Sequence, residues 1–362
     1  MMLRIRNLGC RLGSLEVLRG VDLEVGAGEL FCLVGPSGGG KTTLLRVIAG
    51  LESSHAGEIE LEGIPMNGVP PERRPVALVF QQPALWPHLT VAGNVEYGLR
   101  IRRVDAAERG RRVIEVLGRL RVAELAHCRP DEISGGQRQR VALARAMVLR
   151  PRMLLLDEPL SQIDPRQRAE LRDEFRQIQR DLRITTVHVT HDPGEAFALA
   201  DRMGVLIQGN LVQAGDPGSL YRRPKCREVA EYFGEVCWWE GRRVATVGGR
   251  IRVATRVGEF DVEPEAVEAS GDSGWLGIRP GLLRSHPGVA NPLTATVGSR
   301  VFLGSEEEWS LSGPGGAMLK MRLSAGSGGF RAGDSVTVGI QPSDLIWIGN
   351  SRVLENKNGS QI

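Results

Sequence analysis

The chain has 362 residues, more than one hydrophobic core usually supports, so we expect two domains. Hydrophobic residues make up 41% and charged residues 25%, and a net charge of +3 is small for this length, so nucleic acid is excluded as an expected partner. Only four of the 46 basic residues are lysines, which makes the position of each lysine informative: Lys41, Lys225, Lys320 and Lys357.

Cysteines and apolar segments indicate the compartment. The five cysteines are odd in number and lie scattered without a metal-ligand spacing, which favours a reduced, cytoplasmic setting. The start, Met1–Arg6, lacks the apolar core of a secretory signal, and no stretch reaches the roughly 18 apolar residues of a membrane helix. If the protein serves a membrane process, we expect another chain to span the bilayer.

The first elements in chain order form a strand, a loop and a helix. An apolar run at Leu30–Val34 ends at a glycine-rich turn, and Thr43–Ala49 follows with helical spacing. Three further short apolar runs are typical of buried parallel strands, and these are Val76–Phe80, Met153–Leu156 and Ile184–Val189. The pattern predicts an α/β domain with a mainly parallel sheet.

The remaining segments predict helices and then a different fold. Residues 85–150 are predicted to form a helical subdomain rich in arginine, and Pro165–Leu182 a further helix with proline in its first turn. Beyond Gly234, alternating stretches such as Leu319–Leu323 are separated by Gly, Ser and Pro turns. We therefore predict an α/β domain over residues 1–235 and a small all-β domain over residues 236–362.

A phosphate-binding loop is predicted at Gly35–Thr42, which fits G-x-x-x-x-G-K-[ST] between a strand and a helix. Glycines let successive backbone N–H groups point at a phosphate chain, and the helix N-terminus adds positive potential. Lys41 is expected to reach the β- and γ-phosphates and Thr42 to bind Mg²⁺. The alternative is an ordinary glycine-rich turn, but one of only four lysines stands at the motif position.

Asp157 and Glu158 follow the apolar run Met153–Leu156, at the kind of strand end where open α/β sheets bind ligands. We expect Asp157 to hold Mg²⁺ and Glu158 to act as the general base for the attacking water. The alternative is a polar loop that happens to open with two acids, which the upstream phosphate loop disfavours.

Ser134–Gln137 fits an S-x-x-Q capping box ahead of the helical run Val141–Leu149. Its two glycines also expose N–H groups at a positive helix end, which makes a second anion site possible. Both interpretations can hold together. Two phosphate-facing surfaces suggest one nucleotide bound between two chains.

His191 and Gln81 also fall at strand ends. A lone histidine is more often structural, but His191 lies at the carboxyl edge where a γ-phosphate would be, whereas His188 lies within its strand. Gln81 could contact Mg²⁺ or the lytic water, although a glutamine there carries little weight by itself.

Together these motifs, in this order, resemble the nucleotide-binding subunits of ABC transporters over residues 1 to about 235. The matching segments are the Walker A loop, the Q-loop glutamine Gln81, the signature Ser134–Gln137, the Walker B acids, the D-loop Ser161–Asp164 and the switch histidine His191. The β-rich part resembles the OB-type regulatory domain of importer ATPases, where Gly277–Pro280 is typical.

The resemblance implies catalytic and metal-binding roles at particular positions. Catalytic roles fall on Glu158, His191 and Gln81, and Mg²⁺ binding on Thr42, Gln81 and Asp157. Signature contacts from a partner subunit fall on Ser134, Gly135, Gly136 and Gln137, and the D-loop acid is Asp164. The implied ATP-binding residues are Gly35, Pro36, Ser37, Gly38, Gly39, Gly40, Lys41, Thr42, Thr43 and Leu12.

The resemblance also implies partners: a second copy in a head-to-tail dimer, transmembrane permease subunits that contact the segment Gln81–Tyr97, and indirectly a solute-binding protein. The chain is then a peripheral ATPase on the cytoplasmic face of the inner membrane, with ATP and Mg²⁺ as ligands. The solute is expected to be small and polar or ionic, and overall resemblance favours ferric iron or a polyamine.

Three positions depart from the family pattern. Leu12 stands where an aromatic residue usually stacks on adenine, Ile133 replaces a leucine before the signature, and Gln162 replaces a small residue or asparagine in the D-loop. The change at Ile133 is near-isosteric. A leucine at position 12 predicts that adenine stacks more weakly there or that another residue supplies the stacking contact.

Three alternatives belong to other classes. A non-transport ABC ATPase acting on DNA or ribosomes predicts tandem cassettes, a long coiled coil or a basic face, and the sequence has none. A GTPase or kinase of the P-loop type is another alternative, but the guanine motif N-K-x-D is absent. A regulatory subunit that binds ATP without turnover is disfavoured by Glu158.

Overall fold

The computed structural model describes residues 1–161, 163–263, 272–285, 288–327 and 329–350. The chain divides into two compact units, Met1–Pro217 and Gly218–Ile362. Within the described residues, no helix is both long and apolar enough to cross a bilayer.

The first unit contains ten strands and six helices in its described residues. The strands are β1 (Leu3–Leu12), β2 (Leu15–Val25), β3 (Leu30–Val34), β4 (Ala56–Leu61), β5 (Ile64–Pro65), β6 (Val76–Val79), β7 (Met153–Asp157), β8 (Thr185–Val189), β9 (Arg202–Ile207) and β10 (Asn210–Gly215). The helices are α1 (Lys41–Ala49), α2 (Val91–Ile101), α3 (Ala106–Arg119), α4 (Gly135–Met147), α5 (Pro165–Leu182) and α6 (Pro193–Leu199).

The central sheet of this unit has the strand order β10-β9-β3-β8-β7-β6. All neighbours are parallel except β10, which runs antiparallel to β9. Every residue of β3, β7 and β8 is buried, as strands covered on both faces require. The predicted parallel sheet and its strands are confirmed, and the carboxyl ends of β3, β6, β7 and β8 share one edge.

A second, antiparallel sheet of order β2-β1-β4-β5 joins the same core. Leu3 and Ile5 of β1 share one buried cluster with Leu44 and Ile48 of α1 and with Leu155 of β7. Helix α1, which follows the phosphate loop, is therefore fixed by apolar contacts along its length.

Helices α2, α3 and α4 fall inside the stretch predicted to be helical. Each begins at a residue whose side chain accepts a backbone N–H of the first turn: Thr90, Asp105 and Ser134. Helix α5 spans the predicted residues Pro165–Leu182.

In its described residues, the second unit has strands, short 3-10 turns and two short α-helices, α7 (Pro217–Arg222, which begins one residue before the division) and α8 (Arg227–Tyr232). Its strands are β11 (Cys237–Val247), β12 (Arg250–Thr255), β13 (Gly258–Val262), β14 (Ser273–Ile278), β15 (Leu293–Phe302), β16 (Glu306–Ser312), β17 (Met318–Ser324), β18 (Ser335–Val338) and β19 (Ile346–Gly349). They form two antiparallel sheets, of order β13-β12-β11-β14-β19 and β17-β16-β15-β18. A core that includes Trp239, Phe260, Trp309 and Trp347 is shared by both sheets.

The division between the units lies upstream of the predicted boundary at residue 235. Residues 218–234 group with the β-rich part because Arg279 binds their backbone. Its guanidinium donates to the carbonyls of Tyr221 at 3.2 Å, Ala230 at 3.1 Å and Gly234 at 3.5 Å. Residues 351–362, the end of the predicted β domain, lie outside the described residues.

Candidate active site

The loop Gly35–Gly40 joins β3 to α1 and depends on glycine. Gly35, Gly38 and Gly40 have φ values of 144°, 76° and 101°, which side chains disfavour. A Cβ on Gly35 would lie 2.1 Å from the carbonyl oxygen of Leu206 in β9. The loop therefore passes directly against the backbone of a neighbouring strand, and its curvature is fixed there.

Lys41 begins α1 and turns its side chain back into this loop. The ammonium Nζ donates to the carbonyl oxygens of Gly35 at 2.8 Å and Pro36 at 2.9 Å. Burial lowers the pKa of Lys41, while the carboxylates of Glu158 and Asp157 act in the opposite direction. The sheet edge thus holds a buried cation close to two acids.

Asp157 is the last residue of β7 and lies beside the first turn of α1. Its Oδ1 accepts a hydrogen bond from the Thr42 hydroxyl at 2.9 Å. Burial raises the pKa of Asp157, against the lowering effect of that hydrogen bond. Two oxygen groups that the sequence assigned to a metal are therefore in contact.

Glu158 stands at the centre of a second set of contacts. Its Oε2 accepts a hydrogen bond from Gln81 Nε2 at 3.0 Å and lies 3.0 Å from Nδ1 of His191. Its backbone has φ of +46°, and its N–H donates to the carbonyl of Val189 at 3.0 Å. Residues that follow β6, β7 and β8 thus converge on one carboxylate.

Ser134–Gln137 forms the start of α4, and the capping box is complete. Ser134 Oγ accepts from the Gln137 N–H at 3.3 Å, and Gln137 Oε1 accepts from the Ser134 N–H at 2.8 Å. The segment lines a cleft with Ile163 and Gln167. No hydrogen bond or ion pair identified among the described residues joins it to Lys41, Asp157 or Glu158.

Leu12 lies at the end of a strand, and the D-loop follows Glu158 in the chain. Leu12 ends β1, pairs with Leu15 across the hairpin and is 41% exposed. Asp164 directly precedes α5, and Ser161 Oγ lies 3.4 Å from Gln81 Nε2. Gln162, the residue that departs from the D-loop pattern, lies outside the described residues.

Three polar residues beneath this site were not predicted to take part in it: His188, Thr190 and Glu195. Glu195 Oε1 lies 2.6 Å from His188 Nε2, and Glu195 Oε2 accepts from the Thr190 hydroxyl at 3.1 Å. A signal was available in the sequence, since Asp192 and Glu195 have the spacing of a capping box directly after a strand.

Comparison with known families and proteins assigns the chain to a family. The ABC transporter family model matches residues 18–161, and a TOBE domain model matches residues 276–348. The chain is 39% identical to a spermidine/putrescine import ATP-binding protein of Rubrobacter xylanophilus, over 96% of this chain and 94% of that protein. It is 41% identical to an sn-glycerol-3-phosphate import ATP-binding protein of Roseobacter denitrificans, over 75% of each.

A solved structure supports the same assignment. A dimeric ATP-binding cassette in a post-hydrolysis state with ADP and phosphate is 30% identical, with a TM-score of 0.55, and the match covers 60% of this chain and 99% of that chain. The predicted fold class, an α/β P-loop ATPase domain followed by an OB-like β domain, is confirmed. The chain therefore belongs to the ABC transporter family, as an importer-type ATP-binding protein whose ATP hydrolysis is coupled to transport and which carries a C-terminal TOBE domain.

Proposed function

We propose that two copies of this chain bind and hydrolyse ATP between them to drive import of a polyamine through separate permease subunits. The observation that carries the proposal is the contact of Glu158 with both Gln81 and His191 at the sheet edge that holds the phosphate loop. The sequence predicts all three of these groups at strand ends, and in the proposed complex they would surround the γ-phosphate and the attacking water.

The phosphate loop suits a nucleotide triphosphate. Two of the three N–H donors of Lys41 bind carbonyls of the loop, so the third can donate to a phosphate oxygen. Backbone N–H groups of Gly38 and Gly40, with those of Thr42 and Thr43 at the start of α1, would surround the phosphates, while the Gly39 N–H donates to the Pro36 carbonyl at 3.2 Å within the loop. A phosphate anion would also offset the cost of burying the ammonium.

The oxygen groups beside the loop suit Mg²⁺. Thr42, Asp157 and Gln81 offer a hydroxyl, a carboxylate and an amide, which are the ligand types this ion prefers. The described residues contain no group of three or more His, Cys, Asp or Glu side chains that could hold a metal. Phosphate oxygens and water would therefore supply the remaining Mg²⁺ ligands. When bound, Mg²⁺ would neutralise charge on the β- and γ-phosphates.

Glu158 would take a proton from the attacking water as the general base. Gln81 and His191 bind the same oxygen, Oε2, and so fix the direction of the carboxylate. Because the Glu158 N–H is also held by Val189, both ends of this residue are oriented. In this proposal, His191 would also contact the γ-phosphate.

A second copy would complete the site. The N–H groups of Gly135 and Gly136 lie in the first turn of α4, where an anion is favoured, yet this helix start is not bonded to the Lys41 group among the described residues. In a head-to-tail dimer, Ser134–Gln137 of one chain would face the phosphate loop of the other, with Asp164 close to the interface. The dimeric relative bound to ADP and phosphate supports this arrangement.

The relatives support a proposal for the membrane partner and the solute. Both reported relatives are import ATP-binding proteins, which supports a peripheral position on the cytoplasmic face of the inner membrane, against permease subunits served by a solute-binding protein. The segment Gln81–Tyr97, in which the rings of Trp86 and Tyr97 are 4.3 Å apart, is the proposed permease contact. Spermidine or putrescine is the proposed solute because that relative covers nearly the whole chain.

The ATPase proposal is tested with Glu158→Gln, which keeps the shape and removes the base. We expect Mg²⁺-dependent ATPase to fall by at least about 100-fold while ATP-dependent dimerisation persists in size-exclusion chromatography. Glu124→Gln, at an exposed glutamate outside the site, is the matched control. If Glu158→Gln hydrolyses ATP as the wild type does, Glu158 is not the base.

The solute proposal needs uptake measurements in cells. Cells that express the chain together with its permease subunits and solute-binding protein should accumulate labelled spermidine, and the Glu158→Gln cells should not. Uptake of labelled sn-glycerol-3-phosphate instead, the solute named for the second relative, would overturn the polyamine assignment and keep the importer.

A further inference from the structure

We propose that Glu195, His188 and Thr190 form a buried network that positions His191 for catalysis. The inference deepens the proposed function and rests on it, because it assumes that His191 takes part in ATP hydrolysis. The three residues are positioning residues, since none of them touches the reacting atoms.

The Glu195 carboxylate connects a strand to a loop. Its Oε1 lies 2.6 Å from His188 Nε2 within β8, and its Oε2 accepts from the Thr190 hydroxyl at 3.1 Å. The Thr190 oxygen in turn accepts the N–H of Asp192 at 3.1 Å. The residues on both sides of His191 are therefore tied to one carboxylate.

Burial makes this network rigid. His188 is fully buried, Thr190 is 2% exposed and Glu195 is 6% exposed. Because Nδ1 of His188 has no hydrogen-bond partner among the described residues, a proton there would be an unsatisfied buried donor. We therefore assign the His188 proton to Nε2, where it donates to the Glu195 carboxylate.

The network reaches the catalytic carboxylate by a short path. His191 lies between Thr190 and Asp192, and its Nδ1 is 3.0 Å from Glu158 Oε2. On the strand side, Val189 accepts the Glu158 N–H and pairs with Asp157 across the sheet. A shift of the loop at Thr190 would thus move the His191 ring relative to Glu158, and displacements of this kind are costly for positioned catalytic groups.

The inference predicts a specific kinetic change in the full-length chain. Thr190→Val removes the hydroxyl at nearly constant volume, and we expect kcat for Mg²⁺-dependent ATPase to fall about tenfold with little change in KM for ATP. Thr190→Ser keeps the hydroxyl and should retain most of the activity. His188→Leu should resemble Thr190→Val, whereas His188→Gln, whose amide nitrogen can replace Nε2, should restore much of the loss.

Thr186→Val is the matched control. Thr186 is also a buried threonine of the β8 segment, but its hydroxyl binds the carbonyl of Ile184 and not Glu195. If Thr186→Val lowers kcat as much as Thr190→Val does, the effect reflects general damage to the strand and the proposal is wrong.

A double-mutant cycle separates this inference from the proposed function. If Thr190 acts through His191, then Thr190→Val should have no further effect on kcat in a His191→Ala background. A full additional loss in that background would overturn the network. If His191→Ala alone leaves kcat unchanged, His191 has no catalytic role and the proposed function is wrong on this point. The network then has no catalytic residue to position.

Discussion

Two charged residues of the site are placed where burial disfavours their charge. Burial raises the pKa of Asp157 and lowers the pKa of Lys41, so both ionise against a desolvation cost. In the proposed function, bound phosphates and Mg²⁺ would offset that desolvation cost. The nucleotide-free protein lacks this compensation. Stability has been given up here for ligand binding, as is common at functional sites.

Asp157→Asn is expected to raise the free energy of unfolding of the nucleotide-free protein by about 1 kcal/mol while abolishing ATPase activity. The amide keeps an oxygen that can accept from Thr42, and it removes the buried charge.

The pH dependence has a definite sign. Because the folded-state pKa of Asp157 is raised, the folded protein binds more protons than the unfolded chain just above about pH 4. The free energy of unfolding of the wild type therefore falls as pH rises through this range. The stability difference between variant and wild type should therefore grow from pH 4 to pH 7 in urea unfolding. A difference that is constant over this range would show that the charge is not what costs stability.

Leu12 is the residue expected to contact adenine. It is 41% exposed, and the sequence resemblance predicts that it stands at the adenine-stacking position. Leu12→Tyr should tighten ATP binding about threefold to tenfold, as expected for one added stacking contact. Calorimetric titration with ATP, in a Glu158→Gln background that prevents turnover, measures this.

Leu15→Tyr is the control for Leu12→Tyr, because Leu15 pairs with Leu12 in the same hairpin and is 64% exposed. Equal affinities for Leu12→Tyr and the wild type would place the adenine elsewhere.

At the scale of elements, strands and helices with strong local patterns were predictable. The runs that became β3, β7 and β8 are almost wholly apolar, and the helix Pro165–Leu182 starts with a proline. Contacts between distant elements were not predictable, because one sequence does not show which backbone a long side chain reaches. Arg74 was missed for this reason. Glu195 was missed although its partners His188 and Thr190 are near in sequence, because the capping-box spacing of Asp192 and Glu195 was overlooked.

Arg74 donates to four backbone carbonyls in two stretches of the chain, residues 47–48 and 66–69. Its guanidinium donates to the carbonyls of Val47 and Ile48 at the end of α1, at 2.8 and 2.7 Å, and to those of Met66 and Val69, at 2.7 and 2.9 Å. The side chain is buried, and a positive charge is favoured where a helix leaves carbonyls unbonded. Arg74 thus fixes the far end of the helix that starts at the phosphate loop.

Arg74→Met is expected to lower the free energy of unfolding by about 3 kcal/mol, because buried carbonyls lose their donor while the apolar stem remains. Arg73→Met, at the exposed neighbouring arginine, should change it by less than about 0.5 kcal/mol. Urea unfolding followed by far-UV circular dichroism measures both. Equal effects of the two variants would mean that the four hydrogen bonds of Arg74 contribute little.

At the scale of the whole molecule, the second unit begins with a helical segment and not with its first strand. Arg279, from the Gly277–Pro280 motif, is 3% exposed and lies 4.1 Å from the centre of the Tyr221 ring. In α8, Arg227 lies 4.5 Å from the ring centre of Trp275, and Glu231 accepts from the Trp238 indole at 2.9 Å. The change of composition near residue 235 marked the first strand of the β domain and could not reveal these contacts.

Loss of the Arg279 contacts should release residues 218–234 from the β domain. Two trypsin sites test this in the full-length chain, after the exposed residues Arg222 and Lys225, whereas Pro224 protects the bond after Arg223. Arg279→Met should speed cleavage at both sites about tenfold, because cleavage of a folded chain follows the population of its open form. Mass spectrometry of a digestion time course identifies the cut positions.

Arg284→Met is the matched control for Arg279→Met. Arg284 also donates to backbone carbonyls, but to those of Gly281 and Leu283 in its own turn, so cleavage after Arg222 and Lys225 should stay at the wild-type rate. Unchanged cleavage in Arg279→Met would mean that Arg227 and Glu231 hold the segment without it. Faster cleavage throughout the β domain would instead assign Arg279 to the stability of the whole unit, and the helical segment would then have no separate attachment.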